Sequence, residues 1–209
     1  MALSTWLAFF IAAWAISISP GAGAVAAMSA GLNHGFARGY FLSFGLVIGI
    51  WTQVLVVGIG LGALIAASSL AFSVIKWLGV AYLLWLGIKQ WRAPATPLVA
   101  ATDAGAVTVT RRALFLRGWG VNAVNPKGTV FLLAVVPQFL DLGHALWPQY
   151  GVIALTLAFT DLIVMAGYTA LASKVLRLLK TPSQMRVLNR AFGSLFVAVG
   201  LLLASFRRT

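Results

Sequence analysis

The stretch Ser19-Pro20-Gly21-Ala22-Gly23 interrupts an apolar run that otherwise reads as one membrane helix from about Trp6 to Ala30. Proline removes the N–H that a helix interior needs and clashes with the preceding turn, and the flanking glycines let the chain leave helical geometry at little cost. In hydrocarbon an unsatisfied backbone group costs several kcal/mol, so such a break persists only where it is buried in protein or lines a wet cavity. The break therefore predicts a cavity near the middle of a membrane. Asn125-Pro126-Lys127-Gly128 repeats the device inside a second apolar run. Interruptions at matching places in two halves of a chain point to a transporter's binding site.

Composition agrees with a membrane setting. The 209 residues are 61% hydrophobic and 9% charged, with mean hydropathy +0.98, where soluble chains carry about 25% charged residues. The acidic residues are Asp103, Asp141 and Asp161, and the net charge is +12. That balance does not indicate nucleic acid, because the basic residues lie between apolar spans and form no soluble basic domain. The absence of cysteine excludes disulfides and thiolate metal sites. His34 and His144 fall in different predicted loops with no acidic cluster, so no metal and no cofactor are expected. There is no phosphate loop, no paired carboxylate and no nucleophile with a base, so the chain is not read as an enzyme. The first residues lack a basic n-region, and the apolar run continues through Met28 and Leu32, which predicts a retained helix in place of a signal peptide.

Six segments reach the roughly 20 residues a span requires: about 6–31, 40–66, 70–91, 114–140, 147–172 and 188–206. Asn33 to Arg38 reads as a tight polar turn after the first. Gly45, Gly49, Gly58 and Gly62 give the second a spacing that lets helix backbones approach closely. Trp85 to Arg92 reads as an interfacial anchor at the end of the third. Ala93 to Thr110 is the long polar connection and reads as a flexible linker. The predicted fold is all-α and integral to the membrane, with six transmembrane helices as a 3+3 inverted repeat whose first and fourth helices are proline-broken. Residues 1–92 form the first half, 93–110 a cytoplasmic linker, and 111–209 the second half. Because each half has an odd number of spans, the two enter the membrane in opposite senses. The equal spacing from Pro20 to Gly31 and from Pro126 to Pro137 supports the repeat. Basic residues concentrate in the odd-numbered loops, which predicts both termini outside, with Arg207 and Arg208 dissenting.

Pro20, Gln53, Asn125, Lys127 and Asp161 all fall within one or two helical turns of their segments' midpoints. Asp161 is the sharpest candidate, because a carboxylate at helix centre costs about 2.5–3.5 kcal/mol even on a lenient insertion scale and is functional by default. It reads as a substrate or proton-coupling group, against a structural partner of Lys127. Lys127 reads as a residue that snorkels or pairs with Asp161, or as a direct ligand. Pro20 with Gly21, and Pro126, either kink their helices or open backbone to a ligand, the amides after Pro20 forming a positive helix end. Gln53, Asn122 and Asn125 read equally as interhelical hydrogen-bond partners or as ligands. Thr160 and Tyr168 flank Asp161, and isolated hydroxyls there usually bond their own backbone. Without a nucleotide site, uphill work must draw on an ion gradient. One proton crossing 100 mV supplies about 2.3 kcal/mol, enough for a roughly fifty-fold gradient.

Taken together, Ser19-Pro20-Gly21, the run Gly31, Gly35 and Gly39, the stretch Gly79 to Gly87, Asn125-Pro126-Lys127, Pro137-Gln138-Phe139 and Asp161 resemble the LysE/RhtB superfamily of amino-acid exporters over essentially the whole chain. The resemblance implies a carrier in the bacterial inner membrane. It would export basic amino acids, threonine, homoserine or homoserine lactone, by proton exchange. Its partners would be a small amino-acid substrate, a proton and the lipid bilayer, with no nucleic acid and with a homo-oligomer left open. The chain departs from the family's Pro-Gly-Pro, which is Pro20-Gly21-Ala22 here. A non-transporting membrane scaffold is the alternative, its buried polar residues merely joining helices.

Overall fold

The computed structural model describes residues 1–67, 69–93, 109–178 and 182–205. Most of the expected linker, and Arg207 and Arg208, lie outside these residues. The described chain is all-helical. Its helices are α1 (Leu3–Ile18), α2 (Ala22–Gly39), α3 (Phe41–Ala67), α4 (Ser69–Trp91), α5 (Arg111–Ala123), α6 (Pro126–Phe139), α7 (Leu146–Leu178) and α8 (Pro182–Ser205).

Both proline motifs break the chain. Ser19 ends α1 in an extended conformation, Gly21 is extended before α2, and the two helix axes bend by 55°. Pro126 occupies the first turn of α6, where its missing N–H costs nothing. The turn expected at Asn33 to Arg38 is narrower than the sequence suggests. Helix α2 runs to Gly39, with one left-handed residue, Gly35 at φ 69°, kinking its last turn. Helix α8 begins at Pro182, several residues before the apolar run expected from 188, because proline and the following polar residues suit a first turn. Among the described residues, Phe41–Gly60 and Leu146–Ala172 are long and apolar enough to cross a membrane, as is the bent α1–α2 pair if it counts as one span.

The most extensive pairings are α3 with α5 and α4 with α8. α3 also packs on α6 and α7, and α7 packs on both α1 and α2. Large apolar side chains such as Leu7, Ile11, Leu55, Ile59, Trp77, Leu78, Leu155 and Phe159 face outward, as a lipid solvent permits.

Inside there are two apolar cores. One joins Phe9, Val54, Val57, Phe131, Val135, Ile153, Leu157 and Phe196. The other joins Ala24, Ala27, Met28, Leu42, Leu46, Leu114, Met165 and Ala172. α7 contributes to both, with Ile153 and Leu157 in the first, Met165 and Ala172 in the second, and Asp161 between them. α3 does likewise, with Leu42 and Leu46 on one side of Gln53 and Val54 and Val57 on the other. Each broken helix changes core at its break: α1 packs in the first and α2 in the second. The polar residues thus form a seam where two apolar layers meet.

Outside the cores, Asp141 is committed to its own loop. Its carboxylate accepts from the Gly143 N–H at 2.9 Å and pairs with His144 Nδ1 at 2.8 Å, while Gln149 ties the Asp141 backbone. The Gly143 N–H first, and His144 second, hold its carboxyl below the ordinary carboxylate range. That contribution to the turn persists above the ordinary carboxylate range and is lost only as pH falls through the lowered value.

The α3–α5 crossing tests the packing argument. A methyl on Gly45 would collide with the Phe115 carbonyl, and one on Gly118 with the Leu42 carbonyl. Both contacts are backbone and cannot move aside, so Gly45→Ala and Gly118→Ala are expected to lower stability by about 1–3 kcal/mol or more. Gly120, with nothing within 4 Å, is the control: Gly120→Ala should leave stability unchanged or raise it by up to about 1 kcal/mol. Thermal melts of the three purified variants in detergent check this.

Candidate functional site

A break in a helix frees carbonyls on one side and amides on the other. At the end of α1, Ala15 O accepts the Ser19 N–H at 3.2 Å. The last two carbonyls before Pro20 are taken by side chains from elsewhere. Tyr168 Oη donates to Ile18 O at 2.6 Å, and Lys127 Nζ donates to Ser19 O at 2.8 Å. A cation at the negative end of a helix is also electrostatically favourable. The start of α2 receives no equivalent treatment. No side chain caps it, so the positive end of this helix is left without a side-chain acceptor.

The second break is closed by amides. Asn125 caps α6 by accepting the Lys127 N–H at 3.1 Å, and donates to Asn122 Oδ1 at 3.2 Å. Asn122 in turn donates to Leu46 O at 3.0 Å. Gln53 Nε2 reaches Asn125 O at 2.8 Å and Thr129 Oγ1 at 2.9 Å. That reach requires Gly128, since a methyl there would lie 2.6 Å from Gln53 Oε1. The three amides therefore weld α3 to the break between α5 and α6.

Lys127 links the two breaks. It starts from the first turn of α6, lies along Gly21, and ends on Ser19 O with its ammonium 5.3 Å from the centre of the Phe196 ring. Between the breaks is a cavity of about 70 Å³, room for several waters, each of which needs about 10–15 Å³ by this measure. Its polar lining is Ser17, Ser19, Gln53, Asn122, Asn125, Lys127 and Asp161, and Gly21, Gly23 and Ala24 bring the start of α2 to it. Ile16, Ile50, Phe131, Leu132, Leu157 and Met165 supply apolar walls.

Asp161 is 6% exposed, and its Oδ2 has no hydrogen-bond partner. Lys127 and Asp161 line one cavity without forming a direct pair: among the described residues the ion pair within 4.0 Å is Asp141–His144. Nor does Lys127 extend outward, since its ammonium is turned inward onto Ser19. An unpaired carboxylate in so apolar a place is expensive. A cavity holding one cation and one carboxylate that do not neutralise each other directly can receive both ends of a zwitterion.

Of the residues singled out in the sequence, Gly21, Gln53, Asn125, Lys127 and Asp161 come together here. Pro20 and Pro126 act through the backbone, one between α1 and α2 and the other in the first turn of α6. Thr160 is spent on Ser17 and its own backbone. Tyr168 closes α1 instead of its own helix. Ser17 and Met165 escaped the sequence reading, and Ser19 and Gly23 were read as parts of the break without being singled out as site residues. Small or apolar residues in an apolar helix carry no signal of their own, although Ser19 stood within the broken motif.

The bonds that close the breaks should carry measurable stability. Asn125→Ala removes a helix cap and the partner of Asn122, and is expected to cost about 0.5–2 kcal/mol. Tyr168→Phe leaves the Ile18 carbonyl without its donor and should cost about 1–3 kcal/mol. Denaturation of both variants in detergent, compared with the unsubstituted chain, measures these losses.

The LysE type translocator family model matches residues 14–206. A "Homoserine/homoserine lactone efflux protein" of Salmonella typhimurium is 43% identical over 209 residues, covering 99% of each chain. An "Uncharacterized membrane protein" of Vibrio cholerae is 43% identical over 205 residues, 98% of each chain. A "Leucine efflux protein" of Klebsiella pneumoniae is 29% identical over 205 residues, covering 97% of this chain and 95% of its own. No solved structure matches. With its broken helices, its apolar layers and a family model spanning nearly its full length, the chain belongs to the LysE type translocators, a family of membrane transporters.

Proposed function

We propose that this protein exports a small amino acid or a close derivative, of the homoserine or homoserine lactone type, from the cytoplasm in exchange for protons. The observation that carries this reading is the cavity between the two breaks, where the Lys127 ammonium and the unpartnered Asp161 carboxylate face one space without pairing. The substrate carboxylate, or the neutral ring carbonyl that replaces it in a lactone, is received by the uncapped start of α2 beside Gly21, with Lys127 adjacent. The substrate ammonium, or a proton when the site is empty, goes to Asp161. Pro20 and Pro126 hold the breaks open, and Gln53 and Asn125 brace the second.

Alternating occupancy of Asp161 by a proton and by an ammonium supplies a minimal exchange rule. The site is neutralised from one side of the membrane by substrate and from the other by a proton, so an uncompensated carboxylate is never carried across. The names of the relatives in Salmonella and Klebsiella, which specify amino-acid efflux, support the substrate class.

Counting α1–α2 and α5–α6 as one span each gives six spans, as two inverted halves, 1–92 and 111–209, joined by 93–110. The packing supports this exchange: α3 meets α5 and α6 as α7 meets α1 and α2. The basic loops then put both termini on the periplasmic side of the inner membrane.

The test is uptake of labelled homoserine, homoserine lactone, threonine, lysine and leucine into everted vesicles, with and without an inside-acid proton gradient. Gradient-dependent accumulation of one or more is expected. Asp161→Asn and Lys127→Met should fold but lose roughly 10–100-fold in transport rate, the worth of a charge-assisted hydrogen bond of about 1.5–3 kcal/mol. Correctly inserted protein that accumulates none of them would overturn amino-acid export. Full-rate transport by Asp161→Asn would remove the exchange rule and favour a bracing role for the buried acid.

A further inference from the structure

One polar group on the cavity wall is left unused by the zwitterion. Ser19 is 4% exposed and lines the cavity, and its hydroxyl has no hydrogen-bond partner. Burying a hydroxyl unsatisfied costs about 1–3 kcal/mol on mutational scales. In a helix such a hydroxyl falls back on the carbonyl four residues earlier. Here Ser19 is extended, at φ −65° and ψ 122°, and the Ala15 carbonyl is already taken by the Ser19 N–H. The break itself therefore keeps this hydroxyl unspent.

The neutral donors around it are accounted for. Thr160 donates to Leu157 O, so the Ser17–Thr160 bond of 3.0 Å draws on the Ser17 proton. The amide nitrogens of Gln53, Asn122 and Asn125 are committed to the second break. Among the described lining residues, the Ser19 hydroxyl is the neutral side-chain donor without an acceptor.

Resting on the export reading above, we infer that Ser19 is a specificity residue, binding a neutral oxygen on the substrate's side chain. A hydroxyl both donates and accepts, so the same group serves the alcohol of homoserine and the ring oxygen that this side-chain oxygen becomes in the lactone. An apolar side chain in that position leaves Ser19 unsatisfied, and the site then discriminates against it as polar pockets do. The Lys127 bond to the Ser19 carbonyl fixes this residue beside the charged end of the site.

The experiment compares homoserine with norvaline, which replaces the hydroxyl by a methyl, as competing labelled substrates in everted vesicles. The unsubstituted protein, Ser19→Ala and Ser19→Thr are each checked for monodispersity after detergent extraction. Expected are a preference for homoserine in the unsubstituted protein and a roughly tenfold fall in the homoserine-to-norvaline ratio of kcat/KM in Ser19→Ala. The fall should come from the KM for homoserine, and Ser19→Thr should restore much of the preference. An unchanged ratio in Ser19→Ala, or an equal loss for both substrates, overturns the inference while leaving export intact. If Ser19→Ala does not fold, Ser19→Thr decides, because a preference lost in a folded hydroxyl-bearing variant overturns it too. Accumulation of neither substrate by the unsubstituted protein removes export of this class itself, together with the role inferred for Ser19.

Discussion

The structure depends on how backbone is satisfied where α1 and α5 stop short. In an apolar surrounding, every freed carbonyl must find a donor within the protein. At the end of α1 the donors come from α6 and α7, through Lys127 and Tyr168. At the end of α5 the Asn122 carbonyl accepts the Asn125 N–H, and Gln53 of α3 holds Asn125, the cap of α6, in place. The breaks are thus welds between distant parts of the chain as well as interruptions. A helix break that joins four elements cannot be a local accident of proline.

The welds also explain why polarity is confined to one layer. α3 and α7 carry apolar residues into one core before Gln53 and Asp161 and into another after them. Where the broken helices change partners, neither core can close completely, and the residual space becomes the cavity. Its amides are consumed in holding the walls. Lys127 spends one bond on the Ser19 carbonyl, whereas Asp161 Oδ2 and the Ser19 hydroxyl are not spent. This division separates what builds the site from what is free to meet a ligand, a distinction residue type alone does not make.

Relatives named for efflux of homoserine and its lactone, or of leucine, match nearly the full length of the chain. Under the export proposed above, these compounds share an ammonium group and differ in the rest, which a charged frame with an adjustable neutral position would serve. Ala22, where the resemblance drawn from the sequence would place a second proline, leaves an amide at the start of α2 that proline would lack.

The sequence by itself determined that the chain is a membrane protein, that two helices break, and where. Hydropathy, proline and glycine are local properties that tertiary context cannot undo in hydrocarbon. It also singled out Asp161 and Lys127, because charge in an apolar helix is costly wherever the helix goes. Segment boundaries at Gly39 and Pro182 were less legible, since a left-handed glycine and a proline in a first turn both look like stops. What only the tertiary structure decided is who meets whom. Lys127 bonds a carbonyl 108 residues away instead of Asp161, and Tyr168 one 150 residues away. The amides proved to be braces, and a serine with no sequence signal of its own emerged with a free hydroxyl. Those outcomes follow from long-range packing, which fixes which donor reaches which freed backbone group and leaves no trace in local composition.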